Sequence, residues 1–215
     1  MPDRRPDLEG VSIVLVGNFN PKIFQPSWFD HHGLLRKEEV ESAENLVSVS
    51  DVTTFVAGWL VLQATKDRFA VSTADAAHFE ALRDLVLGTF SLLEHTPIQQ
   101  MGINREMHFR LEEGRYAAFG HFLVPKTPWR SIFTDPKTTT LTVESSEKRG
   151  SEMPRLRVKV ELSVRMPFAV FFETNEHYEV GEHAAKRLMD ILKANWVDAH
   201  RAAQHIVQHL LDQKY

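Results

Sequence analysis

The spacing of apolar residues in the first half of the chain predicts a strand, several further strands and then a helix. Residues 11–16 form a β-branched apolar run, which is typical of a buried strand. Further strands are predicted at 46–51, 53–65 and 68–73. Asp75 is placed to cap a helix. The apolar residues of this helix recur at helical spacing: Phe79, Leu82, Leu85, Val86, Phe90 and Leu93.

The second half repeats this order of elements. An apolar strand at 98–101 leads into a predicted turn at Gly102-Ile103-Asn104, and a stretch rich in aromatic residues follows. Strands are predicted at 138–145, 156–165 and 168–174, and a long helix from about residue 182 closes the chain. One face of that helix carries Leu188, Leu192, Trp196, Ala199, Ala203, Ile206 and Leu210.

Two short motifs recur in the same order in the two halves. Phe69-Ala70-Val71 matches Phe168-Ala169-Val170, and a glycine followed closely by an asparagine ends the first strand of each half. We therefore expect an α+β fold of two degenerate repeats, each a strand, a loop or short helix, a three-strand meander and a helix. The units would be 1–97, with an insertion at 21–45, and 98–215. They would pack as one globular domain with a pseudo-twofold antiparallel sheet and both long helices on one face. The alternative is an undivided α+β domain.

Two predicted strands differ in the character of their faces. In 155–165 apolar residues alternate with Arg155, Arg157, Lys159 and Arg165, so one face is expected to be solvated and basic. The segment 56–62 is apolar on both faces, so it needs a cover on each side or a partner chain. Trp59 within it, like Trp196, is expected in the core.

Composition and net charge restrict the partners, the chemistry and the compartment to be expected. A formal net charge of −4 disfavours nucleic acid and anionic membranes as partners, although a local basic patch is allowed. The absence of cysteine excludes disulfides, thiolate metal sites and a cysteine nucleophile, and it fits a reducing compartment. No run approaches the ~20 apolar residues that a membrane span needs. A cytoplasmic protein with no membrane contact is expected.

Candidate catalytic and metal-binding patterns are weak. Adjacent histidines such as His31 and His32 point apart, and His205 and His209 have helical i, i+4 spacing but lack the glutamate of zinc proteases. The glycine-rich phosphate loops and the Gly-x-Ser-x-Gly elbow are missing. The sequence therefore predicts no catalytic residue, no metal and no cofactor, and an enzyme is disfavoured.

The second half resembles a known family. The Gly102-Ile103-Asn104-Arg105 segment after an apolar strand, and the final helix with Leu188, Trp196 and His200, are similar to an uncharacterised, sporadically distributed bacterial protein family. The chain departs from the family pattern at Glu106-Met107, where the family has an aromatic residue. The resemblance implies a bacterial or phage setting and carries no activity with it.

These observations favour a non-enzymatic interaction module that binds a protein partner or itself. Its contacts would come from the two-sided apolar strand, from exposed aromatic residues such as Trp28, Phe29 and Trp129, and from the basic face. The alternative is a sensor of a small ligand, a nucleotide or metabolite, bound between sheets and helices. Its equivalent rims would be formed by Gly17, Asn18, Gly102 and Asn104. Nucleic-acid binding through the basic face ranks below both.

Overall fold

A single nine-stranded antiparallel sheet organises the molecule. The structure is a computed structural model that describes residues 4–181 and 184–214. The strands are β1 (Leu8–Gly17), β2 (Glu44–Ser48), β3 (Val52–Ala57), β4 (Leu60–Thr65), β5 (Arg68–Thr73), β6 (Ile98–Arg110), β7 (Thr140–Ser146), β8 (Arg155–Leu162) and β9 (Ala169–Glu179). Their order across the sheet is β2-β3-β4-β5-β1-β6-β9-β8-β7. The expected α+β class is confirmed.

The first strand of each half lies at the middle of this sheet. β1 pairs with β6 in an antiparallel ladder in which Ile13 lies opposite Ile103. On its other side β1 pairs with β5, the last strand of the first meander. β6 pairs in the same way with β9, the last strand of the second meander.

Five α-helices in the described residues accompany the sheet. They are α1 (Pro26–His31), α2 (Lys37–Glu41), α3 (Phe79–Leu92), α4 (Glu113–Leu123) and α5 (Ala184–Leu211). α3 and α5 contact each other, and they pack on β1 and β5 and on β6 and β9, respectively. Ahead of α3, the Asp75 carboxylate accepts a hydrogen bond from the backbone N–H of Ala77 at 3.0 Å, so the predicted cap is present.

The main core lies between the helices and one sheet face. Val11, Ile13 and Leu15 of β1 are buried there with Ile103 of β6, and Trp196 of α5 is 0% exposed. A second apolar cluster joins the far end of β6, β8 and β9 to α4 and the last turns of α5. The prediction that Trp196 is a core residue is confirmed.

The long apolar strand expected at 53–65 does not exist. This segment is the β3–β4 hairpin, in which Ala57 pairs with Leu60 and Gly58 has φ +56°. A glycine with positive φ at the first of two turn residues is typical of a tight hairpin. Trp59 is therefore a half-buried turn residue and not a core residue, and the inferred two-sided strand is wrong.

The turn expected at Gly102-Ile103-Asn104 is also wrong. These residues lie in the interior of β6, which runs without interruption for 13 residues. Gly102 lies opposite Val14 of β1 and His177 of β9. Central pairing on both sides overrides the turn preference of glycine and asparagine.

The proposed match between Phe69 and Phe168 is not supported, because the two residues differ in environment. Phe69 is buried in β5 and pairs with Leu15 of β1. Phe168 precedes β9, with φ +52° and 47% exposure.

Two predicted apolar faces differ from the structure: β8 ends earlier than expected, and the buried face in the last turns of α5 is formed by other residues. β8 ends at Leu162, so Val164 lies in the following turn and is 98% exposed. In the last turns of α5 the buried residues are Val207 and Leu211. Ile206, which was assigned to the buried face, is half-buried.

Candidate functional site

The four residues expected to form equivalent ligand rims lie in two different places. Gly17 and Asn18 end β1, where a Cβ added to Gly17 would lie 2.2 Å from the carbonyl oxygen of Pro97. Gly102 and Asn104 lie mid-strand in β6. Gly17 is therefore required for close packing of β1 against the α3–β6 loop, and the two pairs occupy different positions in their strands, one at the end of β1 and one within β6.

Asn104 belongs to a polar row across the sheet face opposite the helices. Its Nδ2 donates to Oγ of Ser12 at 3.0 Å, and its Oδ1 accepts from Nδ2 of Asn175 at 2.5 Å. These cross-strand bonds satisfy the side-chain groups of Asn104 within the sheet. The row therefore stabilises the pairing of β1, β6 and β9 and leaves little free hydrogen-bonding capacity for a ligand.

The basic residues of β8 share one face, but neighbouring carboxylates neutralise them. Arg155 and Arg157, each about half exposed, lie 3.8 and 3.3 Å from the Glu144 carboxylate of β7. Lys159 contacts Glu161 and lies 3.9 Å from Glu173 of β9. Arg165 is exposed in the turn after β8 and is not part of this strand. The face carries paired charges, which disfavours an anionic partner.

The three aromatic residues predicted to contact a partner differ in exposure. Phe29 is 0% exposed and therefore cannot contribute to a surface. Trp28 is half-buried, with its ring 5.1 Å from that of Phe29 and 4.6 Å from that of His32. Trp129 is 46% exposed. Of the three, Trp129 has the largest surface available to a partner.

Trp129 begins a compact turn that presents three large apolar side chains, which we call the aromatic surface: Trp129, Ile132 and Phe133. Their exposed fractions are 46%, 69% and 54%. The carbonyl oxygen of Trp129 accepts hydrogen bonds from the backbone N–H groups of Ile132 and Phe133 at 3.0 and 2.8 Å. The rings of Trp129 and Phe133 stack at 6.4 Å. Local hydrogen bonds thus hold the turn while its apolar groups face outward.

Further exposed apolar residues lie at the β8–β9 turn, which α4 contacts. Phe168 makes an edge-to-face contact with Tyr116 of α4 at 6.0 Å. The segment after the aromatic surface is attached to the same helix, because Oγ1 of Thr138 donates to the carbonyl oxygen of Gly120 at 3.2 Å. Part of the exposed apolar surface therefore lies next to α4.

A second feature, the α5 groove, lies along the first half of the long helix. Its other walls are the α3–β6 loop, with Glu94 and Pro97, and the β7–β8 hairpin, with Arg149 and Glu152. Its volume is about 1270 Å³. Since the loop ends the first half and the hairpin belongs to the second, the groove is built by both.

A buried charge network fixes the hairpin wall of this groove. Arg149 donates through Nε to Glu176 at 3.0 Å, and Nη2 lies 2.9 Å from the same carboxylate oxygen. Tyr178 donates to the other oxygen of Glu176 at 2.6 Å. Burial, together with this carboxylate, raises the pKa of Tyr178 far above its usual range, so its hydroxyl stays protonated.

Asn195 contributes a buried polar side chain to the groove. It is 4% exposed, and its Nδ2 donates to the carbonyl oxygen of Ile191 at 2.8 Å. Because a carbonyl can only accept, this bond fixes the amide orientation. Within residues 4–181 and 184–214, nothing donates to Oδ1 of Asn195, which is not sealed from the surface.

The sequence indicated parts of these surfaces. Trp129 was among the predicted contacts, whereas Ile132 and Phe133 were missed. Pro128 and the irregular spacing of the apolar residues Val124, Trp129, Ile132 and Phe133 nevertheless indicate a turn, because this spacing fits neither a strand nor a helix. Asn195 was missed because it lies between apolar residues of a helix, where no local pattern marks it.

No protein-family model matches the chain, and no curated protein sequence does either. Within the described ranges no helix is long and apolar enough to cross a membrane. The same residues contain no group of three or more histidine, aspartate or glutamate side chains placed to hold a metal ion, and His205 and His209 stack at 6.4 Å without a third ligand.

Proposed function

We propose that this protein is a non-enzymatic interaction module whose aromatic surface binds a protein, either a partner or a second copy of the chain. The observation that carries the proposal is the exposure of Trp129, Ile132 and Phe133 in one hydrogen-bonded turn. Exposed apolar clusters of this kind mark interaction sites, and tryptophan is enriched among the residues that dominate binding energy.

The edge strands are weaker candidates for the contact. β2 exposes Leu46 and Val47, but its pairing with β3 is irregular between Glu44 and Val47. Such bulges blunt an edge against the addition of another strand. β7 at the opposite edge exposes Val143 among threonine, serine and Glu144 side chains. The aromatic surface has no comparable protection.

Sedimentation of the intact protein tests this proposal. We expect a dimer that becomes monomeric in Trp129→Ser/Phe133→Ser and stays dimeric in Leu46→Ser/Val49→Ser, a control that removes exposed apolar groups near the β2 edge. If the protein is monomeric, a photo-crosslinker at Ile132 should yield one discrete protein adduct in cell extract, and one at the exposed Glu113 should not. A monomer with no such adduct would overturn the proposal.

We also propose that the two halves are degenerate copies of one unit, 1–97 and 98–215, related by a pseudo-twofold axis. Support comes from the central pairing of β1 with β6, from the equivalent pairings β1–β5 and β6–β9, and from α3 and α5 packing beside them. The copies differ in their meanders, which have four strands in the first half and three in the second.

A further inference from the structure

The α5 groove combines carboxylates with an apolar floor. Of its four carboxylates, Glu152 is paired with Arg187 at 2.9 Å. Glu94 lies 3.5 Å from His95 and Asp198 lies 2.8 Å from Arg201, and exposed pairs of this kind are weak enough for a ligand to replace. Asp190 has no ion pair among the described residues. Carboxylates left after internal pairing favour a positively charged ligand.

Most of the cationic side chains that line the groove are already paired within the protein. Arg149 uses Nε and Nη2 on Glu176 and Nη1 on the carbonyl oxygen of Lys148. Arg187 is bound to Glu152. Lys186 is the lining cation for which the described residues show no ion pair. Apart from the Glu152–Arg187 pair, three carboxylates, two of them in weak exposed pairs, therefore line the groove with Lys186 and His95.

Asn195 adds an independent sign of a ligand. Its Oδ1 is an acceptor on a side chain that is 4% exposed, and it lines the groove. An acceptor with little access to water gains from an N–H donor, above all a charged one. The lining between these polar groups includes Met189, Ile191 and Ala194, which suit a methylene chain.

We propose that the α5 groove binds an aliphatic polyamine, with ammonium groups at the carboxylates and at Asn195 Oδ1 and methylenes on the apolar floor. A compact metal ion would leave the apolar floor uncovered. An anion would meet three carboxylates and an amide oxygen. The site is separate from the aromatic surface, so the two proposals can fail independently.

Isothermal titration with spermidine tests the site, at about 25 mM ionic strength so that screening is weak. We expect one site, with affinity about tenfold or more lower in Asn195→Leu, because hydrogen bonds to charged groups contribute ~1.5–3 kcal/mol. Asp190→Asn should lower the affinity by about two- to fivefold, as for an exposed charge pair. Asp212→Asn, the same charge change outside the groove, should not alter it.

A steric variant covers the case in which Asn195→Leu fails to fold. Ala194 is exposed in the groove, so Ala194→Trp should fill it without disturbing the core and should abolish binding. Two probes serve as controls: Mg²⁺ at the same total concentration of positive charge, and 1,8-octanediol, an uncharged chain of similar length. Each should bind at least tenfold more weakly than spermidine. The proposal is overturned by no spermidine binding at 1 mM, by unchanged binding in Ala194→Trp, or by equal losses in Asp212→Asn.

Discussion

Arg105, which is buried, and His200, which is half-buried, lie beneath the centre of the sheet. Arg105 is 3% exposed, with Nη2 2.8 Å from the Glu9 carboxylate and the guanidinium 4.5 Å above the Phe79 ring. Nδ1 of His200 lies 3.1 Å from the carbonyl oxygen of Trp196, so Nδ1 carries the proton. Burial, together with the charge of Arg105, lowers the pKa of His200 to about 4.

This depressed pKa predicts loss of stability in acid. In the unfolded chain a histidine protonates near pH 6.5, whereas folded His200 stays neutral down to about pH 4. Between these values the unfolded state binds the additional proton, so stability falls as the pH falls. His200 should contribute a loss of up to about 3 kcal/mol across this window.

Urea unfolding of the wild type and His200→Gln at pH 7.5, 6, 5 and 4.5 measures this contribution. The variant should show a shallower fall in the free energy of unfolding, and His205→Gln, an exposed control on the same helix, should follow the wild type. Parallel curves for the wild type and His200→Gln would contradict the assignment.

Replacing each of the two tryptophans that were expected in the core by alanine should destabilise the fold to different extents. Trp196 is fully buried and donates to Glu80 at 2.9 Å, so Trp196→Ala should destabilise by about 3–5 kcal/mol. Trp59 is half-buried, donates to Glu39 at 2.8 Å and stacks on His78 at 5.0 Å. Its alanine variant should cost about 1–2 kcal/mol. Equal losses in denaturant titrations would argue against these positions.

The sequence could place Trp196 but not Trp59. The helical spacing of Leu188, Leu192 and Trp196 repeats over many turns, so the buried face is defined by several residues at once. Trp59 sits in an apolar run that fits either one strand or a hairpin. Only Gly58 distinguishes the two, and its role depends on a backbone angle that composition does not show.

At the scale of elements, the β3–β4 hairpin depends on that glycine. Gly58 has φ +56°, a conformation that costs a side-chain-bearing residue about 1 kcal/mol or more. Gly58→Ala should therefore lower the free energy of unfolding by about 1 kcal/mol. Gly114→Ala in α4, where an added Cβ meets nothing within 4 Å, should be neutral or slightly stabilising. A neutral Gly58→Ala in thermal unfolding would contradict the turn geometry.

β6 shows why local preference failed where long-range pairing decides. Gly102 and Asn104 favour turns in isolation, but each pairs with β1 on one side and β9 on the other. Those partners are about 70 to 90 residues away in sequence, so no short window contains the signal. The polar row of Asn104 and Asn175 likewise appears only once the register is known.

At the scale of the whole molecule, the first and last described elements of the chain lie close together. Nε2 of Gln208 donates to the carbonyl oxygen of Arg4 at 2.7 Å, so the end of α5 lies beside the start of β1. The α3–β6 loop joins the end of α3 to the start of β6, the equivalent two elements if the protein is duplicated. The end of α5 could therefore be linked to the start of β1, and the chain could be opened in the α3–β6 loop instead.

A circular permutant tests this organisation. The chain would begin at Thr96 and end at His95, in the exposed loop after α3, with a short glycine–serine linker joining Tyr215 to Met1. We expect cooperative unfolding and a wild-type circular dichroism spectrum, because every strand pairing is retained and new termini in exposed loops are tolerated. A second permutant, opened between Ile103 and Asn104, should not fold, because the cut breaks the strand that pairs with both β1 and β9. If the first permutant fails to fold while the second succeeds, the α3–β6 loop does not separate two units, and the duplication loses its main support.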